Sequence, residues 1–218
     1  MYAINDNGTL RLMEALPFRL TLPEGFTRTS LNELSTAQLA ELGIYPATEV
    51  KPKYDPATQF LGDPVLKLSR GKVTATYPVV DKTKEQILAE VEAAKAAKLA
   101  ELAEKRWEAV QAGVEINGVV VATDSDSQTA LVGAAFGAFV KMIGSSLPAA
   151  AEPLVKMIPD ESGWKGKDSK WADLSITDTL GVAVTVRAHV QSLFDKERAL
   201  GEKVAACSTV AEVDAITW

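Results

Sequence analysis

One cysteine and one histidine stand in 218 residues, and aromatic side chains make up only 6% of them. The lone Cys207 has no partner for an internal disulfide, so the fold is expected to form without cross-links, as suits a reducing cytoplasm. With His189 alone, a metal site would need several non-histidine ligands. Cations are in deficit, 23 Lys and Arg against 29 Asp and Glu, which gives a net charge of -6. That balance favours solubility and disfavours binding to a phosphate backbone, so nucleic acid is not expected as a partner. Long apolar runs are also missing. The most apolar stretch, Ala130 to Val140, is about half the roughly 20 residues a membrane helix needs, and Lys141 closes it, so no membrane insertion is expected. Asn5, Asp6 and Asn7 interrupt any apolar run at the start, and no secretory leader is expected. What remains is an ordinary 47% of hydrophobic residues, enough to bury a core in one domain or in two small ones.

The first eighty residues or so read as short strands and turns. Phe18-Arg-Leu-Thr-Leu22 alternates apolar and polar side chains, Pro23-Glu-Gly25 has turn chemistry, and Phe26 to Thr29 reads as the returning strand. Ser35 and Gln38 have the spacing of a capping box, opening a short helix that should stop at Gly43 in a left-handed cap. Pro46, Pro52, Pro56 and Pro64 then mark a segment expected to form neither helix nor central strand, lying extended over another surface. Val65 to Leu68 and Val73 to Val80 flank Ser69-Arg-Gly71 as a second hairpin, with Val73, Ala75, Tyr77 and Val79 on one face.

Composition changes at Asp81. From Thr83 to about Gln111 the chain holds Ala, Glu, Lys and Leu without Gly or Pro, which predicts one helix of roughly 40 Å with Thr83 and Gln86 as its capping box. Its apolar stripe, Ile87, Val91, Ala94, Leu99 and Leu102, is narrow and interrupted at Lys95 and Lys98. Two readings stand side by side: a solvated helix laid along its own chain, or a short coiled coil between identical chains.

After the helix, Val114 to Ile116 and Val119 to Ala122 bracket Asn117-Gly118, the strongest short-range hairpin signal. A helix is expected to begin near Asp126 to Thr129 and run to about Ile143, with Gly133 and Gly137 leaving one face bare for close backbone approach. Pro148 to Asp160 reads as short helical or irregular structure, and Gly163 to Lys170 as a polar loop. A long helix from Thr177 to Val204 carries Val182, Val186, Val190 and Phe194 every four residues, and Thr209 with Glu212 caps a terminal helix. The expected class is α+β: a β-hairpin module over 1–82, a connecting helix over 83–112, and a mainly helical domain with one β-hairpin over 113–218.

A search for chemistry assigns no catalytic, cofactor-binding or metal residue. Asp124 and Asp126 alternate as in a calcium loop, but Gln128, Thr129 and Ala135 occupy the fifth, sixth and twelfth positions, so helix capping is the reading. His189 sits mid-helix with no nucleophile motif beside it. Gly163 and Gly166, with Lys165 and Lys167, are too few to cradle a phosphate. Asp195 and Glu197 alternate with Lys196 and Arg198 as a solvated charged surface. Trp107, Trp164, Trp171 and Trp218 are packing residues, with Trp164 the one candidate for exposure and for stacking on a sugar.

Three stretches, Val114-Glu-Ile-Asn-Gly118, Thr123-Asp-Ser-Asp-Ser-Gln128 and Val190-Gln-Ser-Leu-Phe-Asp-Lys-Glu197, resemble a domain of unknown function that recurs in bacteriophage tail-fibre and tail-associated proteins. Leu42-Gly-Ile-Tyr-Pro46 and Tyr54-Asp-Pro-Ala-Thr-Gln59 are similar to a segment common in the same proteins. The resemblance implies a non-enzymatic structural component of a phage virion, in the tail fibre, baseplate or neck, made in the host cytoplasm. It further implies self-assembly as a homotrimer and docking on other virion proteins through segment 46–64. An assembly chaperone absent from the mature particle is the alternative it leaves open. A host surface glycan is a ligand of some such proteins, and a sugar- or peptidoglycan-cleaving enzyme is a third class without a motif behind it.

Overall fold

A computed structural model describes residues 1–6, 8–21 and 27–218, which divide into two compact units, Met1–Leu88 and Ala89–Trp218. The chain is α+β, as its sequence predicts. The first unit runs β1 (Tyr2–Asp6), β2 (Thr9–Met13), β3 (Arg19–Thr21), β4 (Thr27–Thr29), α1 (Thr36–Glu41), β5 (Ile44–Val50), β6 (Gln59–Leu61), β7 (Val65–Ser69), β8 (Lys72–Thr76) and β9 (Val79–Asp81). Five of these strands form one mixed sheet in the order β2-β1-β5-β8-β7. Its core gathers Leu31, Leu39 and Ile44 with Tyr2, Ile4 and Met13 around them.

Local signals place several of these elements. Ser35 and Gln38 make the expected capping box, and Gly43, at φ +73°, takes the left-handed position after α1. In the β7–β8 hairpin, Arg70 and Gly71 both have positive φ, so the turn matches the twist of its strands. Along β8, Val73 and Ala75 are buried while Lys72, Thr74 and Thr76 face water. That alternation ends at Pro78, and Val79 instead pairs with β6. The β3–β4 pairing joins Arg19–Thr21 to Thr27–Thr29; Leu22, the turn expected at Pro23-Glu-Gly25, and Phe26 lie outside the described residues.

Segment 46–64 corrects its expectation. Pro46 lies in β5, the middle strand of the sheet. It is tolerated because the two neighbours of β5 engage different halves of it. Strand β1 pairs antiparallel with Ile44, Tyr45 and Pro46, and β8 pairs parallel from Ala47 onward. Amide bonds from Asn5 to Gly43 O and from Ala47 to Met1 O set the phase of the β1 ladder. In that phase Pro46 faces Tyr2 as a non-hydrogen-bonded pair, so its missing N–H costs the ladder nothing. The following residues are tied to the same chain rather than extended away from it. Asp55 accepts from the Ala57 amide and the Thr58 hydroxyl, Gln59 donates to Asp81, and Lys82 donates to Pro56 O.

The boundary between units falls inside α2 (Lys84–Ala112), which spans 29 residues. Thr83 and Gln86 exchange the two capping-box hydrogen bonds at its start. Val91, Leu102 and Val110 are its buried residues. Lys95 and Lys98 lie on that same side, with side chains only 18% and 12% exposed, and reach out to Glu92 and Glu101. The interruptions of the stripe are thus stems of lysine covering apolar surface while their charges stay in water. Lys95 also donates to Ala205 O, Leu99 lies against Gly201, and Arg106 pairs with Glu197 at 2.7 Å. Along these turns the helix is laid on its own chain.

The second unit continues with β10 (Val114–Ile116), β11 (Val119–Val121), α3 (Ser125–Met142), α4 (Glu152–Lys156), β12 (Glu161–Lys165), β13 (Trp171–Ser175), α5 (Ile176–Ala206) and α6 (Val210–Asp214). Helices α3 and α5 pack together, and Val121, Leu131, Val182 and Val186 form the core with Trp164 and Leu174 beside it. Asn117 and Gly118 take φ +51° and +79° in the β10–β11 turn. Besides that expected hairpin there is another: the strands β12 and β13 pair in register, so the expected polar loop is reduced to the turn between them.

Candidate functional site

Several of the side chains that the sequence offers for chemistry are engaged locally. Asp124 is the N-cap of α3 and accepts from the Ser127 amide at 2.9 Å and its hydroxyl at 2.8 Å. Those two hydrogen bonds, the amide's first, hold the Asp124 carboxyl below its usual range. Gln128 donates to Thr123 O, and the buried Thr123 hydroxyl donates to Val110 O, tying the hairpin exit to the end of α2. Among the described residues no group of three or more His, Cys, Asp or Glu is placed to hold a metal ion.

His189 is half-buried on α5, and its Nε2 is buried with no hydrogen-bond partner. Cys207 caps the far end of α5, its thiol donating to Lys203 O. Eighteen residues of helix separate the two by roughly 27 Å, so they form no dyad. Asp195 accepts from Gln191 and Glu197 pairs with Arg106. Two residues apart on a helix, they point to different sides and are not a carboxylate pair.

The Gly163 to Lys170 segment is built for packing. A Cβ on buried Gly166 would stand 2.5 Å from Val119 Cγ1 and 3.0 Å from Val120 O. Its amide donates to Lys170 O and that of Lys167 to Val120 O. Of the amides that would cradle a phosphate, one closes the β12–β13 turn and the other joins it to the β10–β11 hairpin. Trp164 corrects its expectation: it packs against the core cluster, whereas Trp171 is 68% exposed. The alternation of a strand puts the two rings on opposite faces, and Trp171 covers Gly163. In the first unit Tyr77 donates to Glu49, and Lys51 lies 3.0 Å from the same carboxylate, which those two contacts, Tyr77's first, hold below its usual range. That trio went unseen in the sequence because β5 and β8 bring it together across a parallel pairing.

The largest exposed feature of the second unit's helices is apolar. On α3, Val132 and Phe136 are about two-thirds exposed, and Val184 beside them on α5 equally so. They line a groove of about 370 Å³ with Leu131, Leu180 and Ala183. A neighbouring groove, lined by Trp107, Arg106 and Phe194, shares Gln128 and Val132 with it. Farther along α3, Phe139 and Met142 are 45% and 55% exposed. Helical spacing puts Val132, Ala135, Phe139 and Met142 on one stripe adjacent to the buried Leu131 and Ala138. The face bare of side chains at Gly133 and Gly137 borders a separate cavity beside Ile158 rather than a closely packed backbone.

Residues 93–217 match the model of a family described as a domain of unknown function, DUF4376. No curated protein and no solved structure matches the chain.

Proposed function

We propose a structural, non-enzymatic role for this chain, which belongs to the DUF4376 family: it is a component of a bacteriophage virion, in the tail, baseplate or neck. It is made in the host cytoplasm, associates with itself and docks on other virion proteins. The observation that carries an assembly role is the apolar face of α3 and α5, where valine and phenylalanine stand two-thirds in water on a well-packed unit. A contiguous patch of that kind marks an interaction surface, and we read it as one covered by protein. The resemblance of Val114–Gln128 and Val190–Glu197 to phage tail-associated domains supplies the setting. In the structure both stretches serve turns, caps and helix packing, which agrees with a scaffold more than with a reaction.

The same exposed face also favours a second reading, a tail-fibre assembly chaperone that covers a partner and then leaves. Protein identification in purified, gradient-banded particles separates the two. Peptides of this chain in the particle support the virion component. Their presence in the infected lysate and absence from the particle would move the assignment to the chaperone.

A further inference from the structure

We propose that the face of α3 and α5 binds copies of this same chain, Phe136 of one protomer entering the groove of the next. The inference rests on the self-association included in the function proposed above and gives it a place, away from the long helix. Three observations favour a copy over an unrelated partner. First, the patch carries both halves of a fit: a projecting ring at Phe136, 68% exposed, and beside it the groove lined by Leu131, Leu180, Ala183 and Val184. A patch that carries both halves can meet its own copy, in a two-fold pair or in a closed ring.

Second, the amount of surface fits. Val132, Phe136, Phe139, Met142 and Val184 are 67%, 68%, 45%, 55% and 68% exposed. At roughly 100–200 Å² per side chain, from valine up to phenylalanine, they leave on the order of 450 Å² of apolar area in water. A stable interface covers about 800 Å² per partner, of which about 65% is apolar in homodimers, so roughly 520 Å² is needed. Third, Gln128, Val132, Ala135, Phe139 and Met142 follow one another on α3 at alternating steps of four and three, the spacing of a helix-to-helix seam. Among the described residues Arg187 is the one charged side chain lining the groove. The net charge of -6 is therefore not concentrated where the copies would meet.

The test is the solution mass of the full chain by light scattering across a micromolar dilution series, for the wild type, Phe136→Glu, Val184→Glu and the milder Phe136→Ala. Circular dichroism confirms that each variant keeps its helix content, as expected for positions two-thirds exposed. The wild type should weigh two or three times 23.3 kDa. Each glutamate variant should fall to a monomer, and Phe136→Ala should weaken association at least about thirtyfold, the loss of one hot-spot side chain. A monomeric wild type overturns the proposal. So does an oligomer that survives both glutamates, or one dissolved instead by Leu88→Glu on the exposed side of α2. Particle composition is read separately, so a monomer found in virions would overturn this interface and leave the virion role standing.

Discussion

Replacing Leu102 by alanine asks whether α2 is a part of its own chain's fold or a rod held by other chains. Leu102 is fully buried, between turns where Leu99 meets Gly201 and Arg106 meets Glu197 and Phe194 of α5. Truncating a fully buried leucine removes its transfer free energy and leaves a cavity, a loss of 2–5 kcal/mol; about 3 kcal/mol is expected here. Leu88, 63% exposed on the same helix, should lose only about 0.5 kcal/mol on the same change. Urea unfolding followed by circular dichroism measures both from the shift in midpoint. If the covering partner were another chain, dilution would dissociate it and the loss at Leu102 would vanish. Packed within its own chain, Leu102→Ala should cost the same over a hundredfold range of protein concentration. A loss under about 1 kcal/mol, or one that disappears on dilution, would refute the packing argued for α2.

Two glycines of the β10–β11 hairpin should separate clash from backbone strain. A Cβ on Gly113, at φ +86°, would stand 2.6 Å from Val121 O, while one on Gly118, at φ +79°, meets nothing within 4 Å. Gly113→Ala should cost about 3 kcal/mol and Gly118→Ala about 1 kcal/mol in thermal or urea unfolding, and equal costs would contradict the geometry. Asp124→Ala should lose about 1 kcal/mol at neutral pH as the α3 cap is removed. The Asp124 carboxyl titrates below its ordinary 3.8 in the fold, so its charge stabilises fully above that value and the contribution is lost as pH falls through the lower folded one. The gap between wild type and variant should therefore narrow below about pH 4; a gap that widens in acid would contradict the cap's charge.

Much of the architecture is written locally. Ser35 with Gln38, Thr83 with Gln86, Thr209 with Glu212, and Asn117-Gly118 each state a boundary that a few residues suffice to build. What escaped the sequence depends on residues far apart. Pro46 reads as a barrier to a central strand until the register of β1 and the late start of β8 show where its missing N–H falls. Lys95 and Lys98 read as breaks in a stripe because sequence does not show a stem lying flat with its charge turned outward. The β12–β13 hairpin was hidden by its polar turn, and which of Trp164 and Trp171 faces the core is set by strand phase. The candidate surface was the least legible feature. Helix α3 is apolar nearly all the way round from Ala130 to Val140, so periodicity marks no single face, and only its packing on α5 shows which side is left over.

The central claim is that this chain is a building part of a phage particle, and counting copies tests it most directly. Purified particles, washed in high salt and banded by density, would be digested with isotope-labelled reference peptides from this chain and from a major tail protein. A fixed copy number that survives the wash, in whole multiples of the oligomer seen in solution, is the expected result. Absence from the banded particles, or trace amounts that vary between preparations, would contradict the account.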